Sequence, residues 1–311
     1  MNAAIRTENL EKHFGRTAAL DGVSLAVPEG AIYALVGRNG AGKTTLMKLL
    51  MNILRPSRGT AQVLNADATR LAGKGFRGIG YVSENQQLPD WMTVGALLDF
   101  CRPFYPTWDR ALAGELVAQF DLPLDRRLRQ LSRGMRMKAA FVSALAYRPR
   151  LIVLDEPFSG LDPLVRDELV DSLLELAGES TIFISSHDLA EIESLASHVG
   201  YLEEGHLLFS EEMSTLSERF RDVTVTLPEA AAARADFPAA CIDVQIAGPV
   251  VRFVHTQYEG AATERQVAEA FPSALSIVYD PMPLRAIFLA VAKSQRDRAR
   301  LAQTNARTVN V

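Results

Sequence analysis

The run Gly37-Arg38-Asn39-Gly40-Ala41-Gly42-Lys43-Thr44-Thr45 combines glycines, a lysine and two hydroxyls at a spacing suited to holding phosphate. Glycines let the backbone turn until successive N–H groups face one point, and a helix starting at their end adds its positive pole. Lys43 is then placed to reach the β- and γ-phosphates of a nucleoside triphosphate, and the Thr44 hydroxyl to ligate Mg²⁺. A glycine-rich turn that merely joined two elements would give Lys43 no reason to follow Gly42. A second group is Asp155-Glu156, at the end of the apolar run Leu151-Ile152-Val153-Leu154. Two acids after a strand are common in solvated loops. Paired with the upstream cradle, Asp155 reads as a Mg²⁺-holding carboxylate and Glu156 as the group that orients or deprotonates an attacking water.

Both groups need strands to deliver them and helices to close behind them. Ala31–Val36 is a short apolar run ending in glycine, and Thr44–Leu54 then shows helical spacing through Leu46, Leu49, Leu50 and Ile53. Leu151–Leu154 reads as a second strand, followed by Asp162-Pro163 as an N-cap and first helical turn with Leu169, Leu173 and Leu176 behind them. Thr181–Ser185 reads as a third, leading into Asp188 and a helix over Leu189–Ala196. Strands joined by helices predict a parallel sheet with helices on its faces. Between Thr93 and Tyr147 there is no strand pattern, and three helical stretches separated by Pro103, Pro106 and Pro123 predict a helical subdomain over about residues 90–148. After Phe220 strand-like Val223–Leu227, Cys241–Ile246, Val250–His255 and Leu275–Tyr279 alternate with helix-like Thr263–Phe271 and Leu284–Ala292. The expected organisation is a first domain over 1–220 and a small α/β domain over 221–311 with a basic tail.

Composition narrows the class. In 311 residues, 33 Lys and Arg against 37 Asp and Glu give a formal charge of −4, so nothing overall marks a nucleic-acid surface. The tail from Arg296 to Arg307 carries four Arg against one Asp and reads as a solvated helix end. Cys101 and Cys241 lack metal-ligand spacing and predict buried thiols. No stretch approaches the roughly 20 apolar residues that span a bilayer, and Met1–Leu10 is unlike a signal peptide.

Further motifs follow in a fixed order: Leu131-Ser132-Arg133-Gly134-Met135, Ser159-Gly160-Leu161-Asp162, and His187 after Thr181–Ser186. With the cradle and the Asp155-Glu156 pair, they resemble the ATP-binding cassette family, over roughly Ile5–Phe220. The resemblance implies a P-loop NTPase of the ABC type: a mostly parallel α/β core sheet, an antiparallel β part, an inserted helical subdomain, and here a small α/β appendage. It implies ATP and Mg²⁺ as ligands and ATP hydrolysis as the activity. It places Phe14 where an aromatic stacks on adenine, although an ordinary core Phe fits that position too. Ser132 and the Gly134 N–H would bind the γ-phosphate of ATP held by a second subunit. Asp162 would communicate across that interface, although it is equally a helix N-cap. His187 would contact the γ-phosphate.

Two positions depart from the family pattern. Arg133 replaces the signature's first glycine and Met135 its final glutamine, with Ser132 and Gly134 intact. In Ile79-Gly80-Tyr81-Val82-Ser83-Glu84 the Q-loop glutamine is replaced by Glu84, a candidate Mg²⁺ ligand, with Gln86 and Gln87 as the alternative. The expected partners are a separate membrane permease and a second ATP-binding subunit, identical or related, with no nucleic acid. The expected location is cytoplasmic, peripheral on the inner face of the cell membrane through the permease, and the expected system is export-type. Chromosome-associated relatives carry a long coiled coil and translation-associated ones two cassettes, and neither feature is present. The presence of Glu156 and His187 disfavours a module that binds ATP without hydrolysing it, and no N-K-x-D sequence points to guanine.

Overall fold

The structure, a computed structural model, describes residues 2–228, 237–238 and 240–294. The basic tail over 296–307 lies outside the described residues. The chain divides into two compact units, Met1–Ser210 and Glu211–Val311.

The N-terminal unit contains two sheets. Strands β1 (Ala3–Phe14), β2 (Thr17–Pro28), β4 (Arg58–Val63) and β5 (Ala66–Asp67) form one in the order β2-β1-β4-β5, with antiparallel pairing throughout. The other has the order β10-β9-β3-β8-β7-β6, from β3 (Ile32–Val36), β6 (Ile79–Ser83), β7 (Leu151–Asp155), β8 (Thr181–Ser186), β9 (His198–Glu203) and β10 (His206–Glu212). From β9 to β6 every neighbouring pair is parallel. Strands β3, β7 and β8 are buried along their whole length, which explains why their apolar residues run consecutively (Ile32–Val36, Leu151–Leu154, Ile182–Ile184) instead of alternating: a parallel sheet covered on both faces has no solvent side to alternate toward. Helix α1 (Lys43–Leu50) turns Leu46, Met47, Leu49 and Leu50 into the core shared with β1, β2, β4 and β7.

Between β6 and β7 lie α2 (Val94–Cys101), α3 (Arg110–Gln119) and α4 (Arg133–Leu145), and α5 (Pro163–Glu175) follows β7. Each begins at a side-chain cap: Thr93 accepts from the Ala96 N–H, Asp109 from Ala111 and Leu112, Ser132 from Met135, and Asp162 from Val165. The C-terminal half of α4 packs directly on β6. A Cβ on Gly80 would stand 2.7 Å from the Ala144 carbonyl oxygen, and the Tyr147 hydroxyl donates to the Ile79 carbonyl at 2.7 Å.

The helix expected over Leu189–Ala196 does not form. A short 3₁₀ turn covers Leu189–Glu191, with turns after it. The Ser186 hydroxyl donates to the Glu191 carboxylate at 2.7 Å, folding that residue back toward the end of β8. Ile192 and Leu195 are buried at a spacing of three that suits this tighter winding.

In the C-terminal unit α6 (Met213–Arg219) leads into an antiparallel sheet of order β12-β13-β11-β14, from β11 (Arg221–Thr226), β12 (Cys241–Ala247), β13 (Val250–His255) and β14 (Ser276–Pro281). Helix α7 (Ala261–Ala270) precedes β14, and a last helix covers 284–294. Arg219 binds within this unit: it pairs with Glu211, and its guanidinium donates to the Thr256 carbonyl. Val223, Val225, Val251, Phe253, Val267 and Phe271 make a separate core. Edge strand β12 carries a bulge, its register slipping between Ile242 and Gln245, with Asp243 at φ 50°. Cys101 and Cys241 are free and half-buried, and burial pushes both thiols up, Cys241 to about 11.

Candidate functional site

Four neighbouring parallel strands end at the same place. Gly37 follows β3, Glu84 follows β6, Glu156 follows β7 and His187 follows β8, so topology brings together residues scattered over half the chain at the carboxyl ends of the strands. There they border a cavity of about 320 Å³ lined by Ala19, residues 38–45, Glu84, Glu156, Ser159 and His187.

The cradle depends on its glycines. A Cβ on Gly37 would lie 2.2 Å from the Leu202 carbonyl oxygen, and one on Gly42 would lie 2.5 Å from that of Ala19. Gly40 and Gly42 adopt φ of 85° and 111°, a region that penalises other residues. A Cβ on Gly40 would meet nothing within 4 Å, so this turn borders open space.

Behind the cradle, the Lys43 side chain is 5% exposed, and its Nζ donates to the carbonyls of Gly37 at 2.6 Å and Arg38 at 3.2 Å. It also stands 3.0 Å from Glu156 Oε1, an ion pair without an aligned hydrogen bond to that oxygen. The other Glu156 oxygen meets His187 Nδ1 at 2.7 Å. That hydrogen bond raises the imidazole pKa, against the opposing effect of partial burial. Burial pushes the Asp155 carboxyl above its ordinary range, while hydrogen bonds from the Ser185 and Thr44 hydroxyls, at 2.8 and 3.0 Å, favour the anion. Ser185 also accepts the Glu156 N–H at 3.0 Å and so fixes that residue, whose φ is 52°.

Oxygen donors suit Mg²⁺: a hydroxyl and a carboxylate oxygen already touch at Thr44 and Asp155, beside space for phosphate. Among the described residues no three His, Cys, Asp or Glu side chains cluster to hold a metal unaided. Glu84 lines the cavity, whereas Gln86 turns back to accept the Ser83 N–H at 3.3 Å and neither it nor Gln87 reaches the lining.

Phe14, Ser132, Gly134 and Asp162 do not line this cavity. Phe14 is 50% exposed with the Lys12 ammonium 5.1 Å from its ring centroid. Ser132 and Asp162 serve as helix caps, and Gly134 faces Val165. Two participants escape sequence reasoning: Ala19 comes from the antiparallel sheet, and Ser185 is hidden inside a buried strand, whereas Ser159, first residue of the Ser159-Gly160-Leu161-Asp162 motif, lines the cavity that Asp162 does not reach.

A glycine cradle with a buried lysine, facing carboxylates at the ends of a parallel sheet, defines a nucleoside-triphosphate-binding site of the P-loop type. A family model described as "ABC transporter" matches residues 20–159. The bacitracin transport ATP-binding protein BcrA of Enterococcus faecalis is 33% identical over 228 residues, covering 72% of this chain and 74% of that one. The daunorubicin resistance ATP-binding protein DrrA2 of Streptomyces coeruleorubidus is 36% identical over 211 residues, covering 66% of each. Among solved structures, an ATP-binding subunit of an ABC transporter superposes with a TM-score of 0.63 at 26% identity, over 68% of this chain and 91% of that one. The chain belongs to the ATP-binding subunits of ABC transporters and is an ATPase.

Proposed function

We propose that the chain is the motor of a transporter whose membrane-spanning part is a separate permease, and that it works as an ATP-bound dimer with Mg²⁺. The observation that carries this is the division of the phosphate site. Lys43, Glu156 and His187 line the cavity, while Ser132 and Gly134 of the same chain lie outside it. These two are the signature positions that resemble γ-phosphate contacts, so they serve a second copy. Within each site Thr44 and Asp155 would hold Mg²⁺, which neutralises phosphate charge. Glu156 would orient or deprotonate the water, and His187 would face the γ-phosphate. Positioning and charge stabilisation do most of the catalytic work in phosphoryl transfer.

Among the described residues no helix is long and apolar enough to cross a membrane. The segment between β6 and β7 instead exposes large apolar side chains: Trp91, Phe100, Phe104 and Leu124. These exposed side chains, of which Phe100 and Phe104 pack on each other, support docking to a permease at the inner face of the membrane. The names of the bacitracin and daunorubicin relatives support an export-type system.

The test uses the Glu156→Gln chain, which keeps the cradle over residues 37–45 and loses the carboxylate assigned to the water. With Mg-ATP it should shift from monomer to dimer in light scattering, and Ser132→Ala should weaken the shift. A chain that stays monomeric when fully loaded with ATP, across a wide concentration range, would overturn the dimer reading.

A further inference from the structure

The two departures from the family pattern meet in space. Arg133 Nη2 donates to Glu84 Oε1 at 3.1 Å, across 49 residues of sequence. The same Glu84 oxygen accepts the Ser159 hydroxyl at 2.9 Å. A Cβ on Gly160 would stand 2.8 Å from Arg133 Nη1 and 3.2 Å from its Cζ, so the guanidinium lies against that glycine. Glu84 is itself fixed, because its N–H donates to the Asp155 carbonyl at 2.8 Å. One guanidinium therefore gathers the start of α4, the residue after β6 and the loop after β7.

Each charge alone is in the wrong place. Arg133 is the first residue of α4, where the helix dipole disfavours a cation. Glu84 lines a cavity that receives a triphosphate, where a further anion raises the electrostatic cost. Together they cancel, and each explains the other. The pair also completes the anchoring of α4, whose far end is already fixed to β6 through Ala144, near Gly80, and Tyr147.

We propose that Glu84 and Arg133 form a same-chain charge pair that, with Ser159 and Gly160, holds the N-terminal end of α4 to the catalytic loops. Both are then positioning residues, and Glu84 serves Arg133 rather than a metal ion. The pair carries the position of the helical segment to the loop following Glu156. This inference rests on the ATPase reading for its kinetic half and on geometry alone for the rest.

The test is a double-mutant cycle in the full chain with Glu84→Gln, Arg133→Gln and both together, alongside the conservative Arg133→Lys. Each single glutamine variant should lower kcat by about 3- to 10-fold, the range of coupled neighbours. The KM for ATP and the Mg²⁺ concentration at half activity should stay within about 2-fold. The double variant should be no worse than the poorer single, and Arg133→Lys should recover part of the loss. In nucleotide-free protein, amide exchange over 84–92, 158–161 and 134–137 should quicken equally in both singles and the double. Additive losses, or exchange unchanged in either single, would overturn the pair. A Mg²⁺ dependence shifted by Glu84→Gln and untouched by Arg133→Gln would make Glu84 a metal ligand and overturn it as well. A wild-type chain without ATPase activity would sink the functional reading instead, and the exchange measurement would still decide the pair.

Discussion

Glu156→Gln should reveal a charge balance around Lys43 as well as a catalytic defect. Lys43 is buried, and its ammonium faces two carbonyls and the Glu156 carboxylate. Removing one partner of a buried ion pair costs about 3–5 kcal/mol when nothing else compensates the remaining charge. Here the Gly37 and Arg38 carbonyls stay, and a glutamine amide oxygen can still approach, so about 2 kcal/mol is the expected loss. For a unit of this size that is a fall in Tm of about 4–8 °C. Bound triphosphate reverses the balance, because its anionic oxygens replace the lost carboxylate around Lys43. Thermal melts of wild type and variant, nucleotide-free and with saturating Mg-ATP, should show a gap that closes or inverts with nucleotide. Turnover should fall by about 10² to 10⁴ at the same time. Equal melting of the two nucleotide-free proteins would refute the compensation argument, and unchanged turnover would remove Glu156 from the chemistry.

Three further outcomes are expected. The His187 pKa is raised by its bond to Glu156, so the pair's stabilisation is full below the ordinary imidazole range and is lost as pH rises through the raised value; His187→Ala should abolish that part of the pH dependence of nucleotide-free Tm. Gly37→Ala drives a Cβ to within 2.2 Å of a backbone oxygen and should abolish ATP binding measured by fluorescent nucleotide titration, whereas Gly40→Ala meets no atom and should cost only about 1 kcal/mol of backbone strain. A chain ending at Ser210 should still bind ATP by calorimetry, since every cavity residue lies before it.

Much of the site was legible because phosphate chemistry constrains a contiguous run. Residues 37–45 announce the cradle by spacing alone, and the apolar strand before Asp155 and Glu156 announces where those acids sit. The Arg133–Glu84 contact was not legible, although both residues stood out as departures from the family. Pairing across 49 residues depends on how α4 lies on β6, which a Gly80 contact decides and no periodicity records. Leu189–Ala196 misled because Leu, Ile and Leu recur every third residue, a spacing shared by a helix face and a tighter turn. The Ser186–Glu191 hydrogen bond chose between them. Ser185 hides in a buried strand, where a hydroxyl looks like filler until the carboxylate beside it is located.

The bulge in β12 limits what can join the C-terminal sheet. At Asp243 the strand leaves its register, and that side chain is bound by Gln245 and Lys293, while the opposite edge, β14, finishes at Pro281, which has no N–H to give. Among the described residues the β12 rim offers no clean ladder of donors and acceptors for an added strand, and β14 ends on a residue that can only accept. Assembly by sheet extension, between copies or with another chain's extended segment, is therefore discouraged along the β12 border.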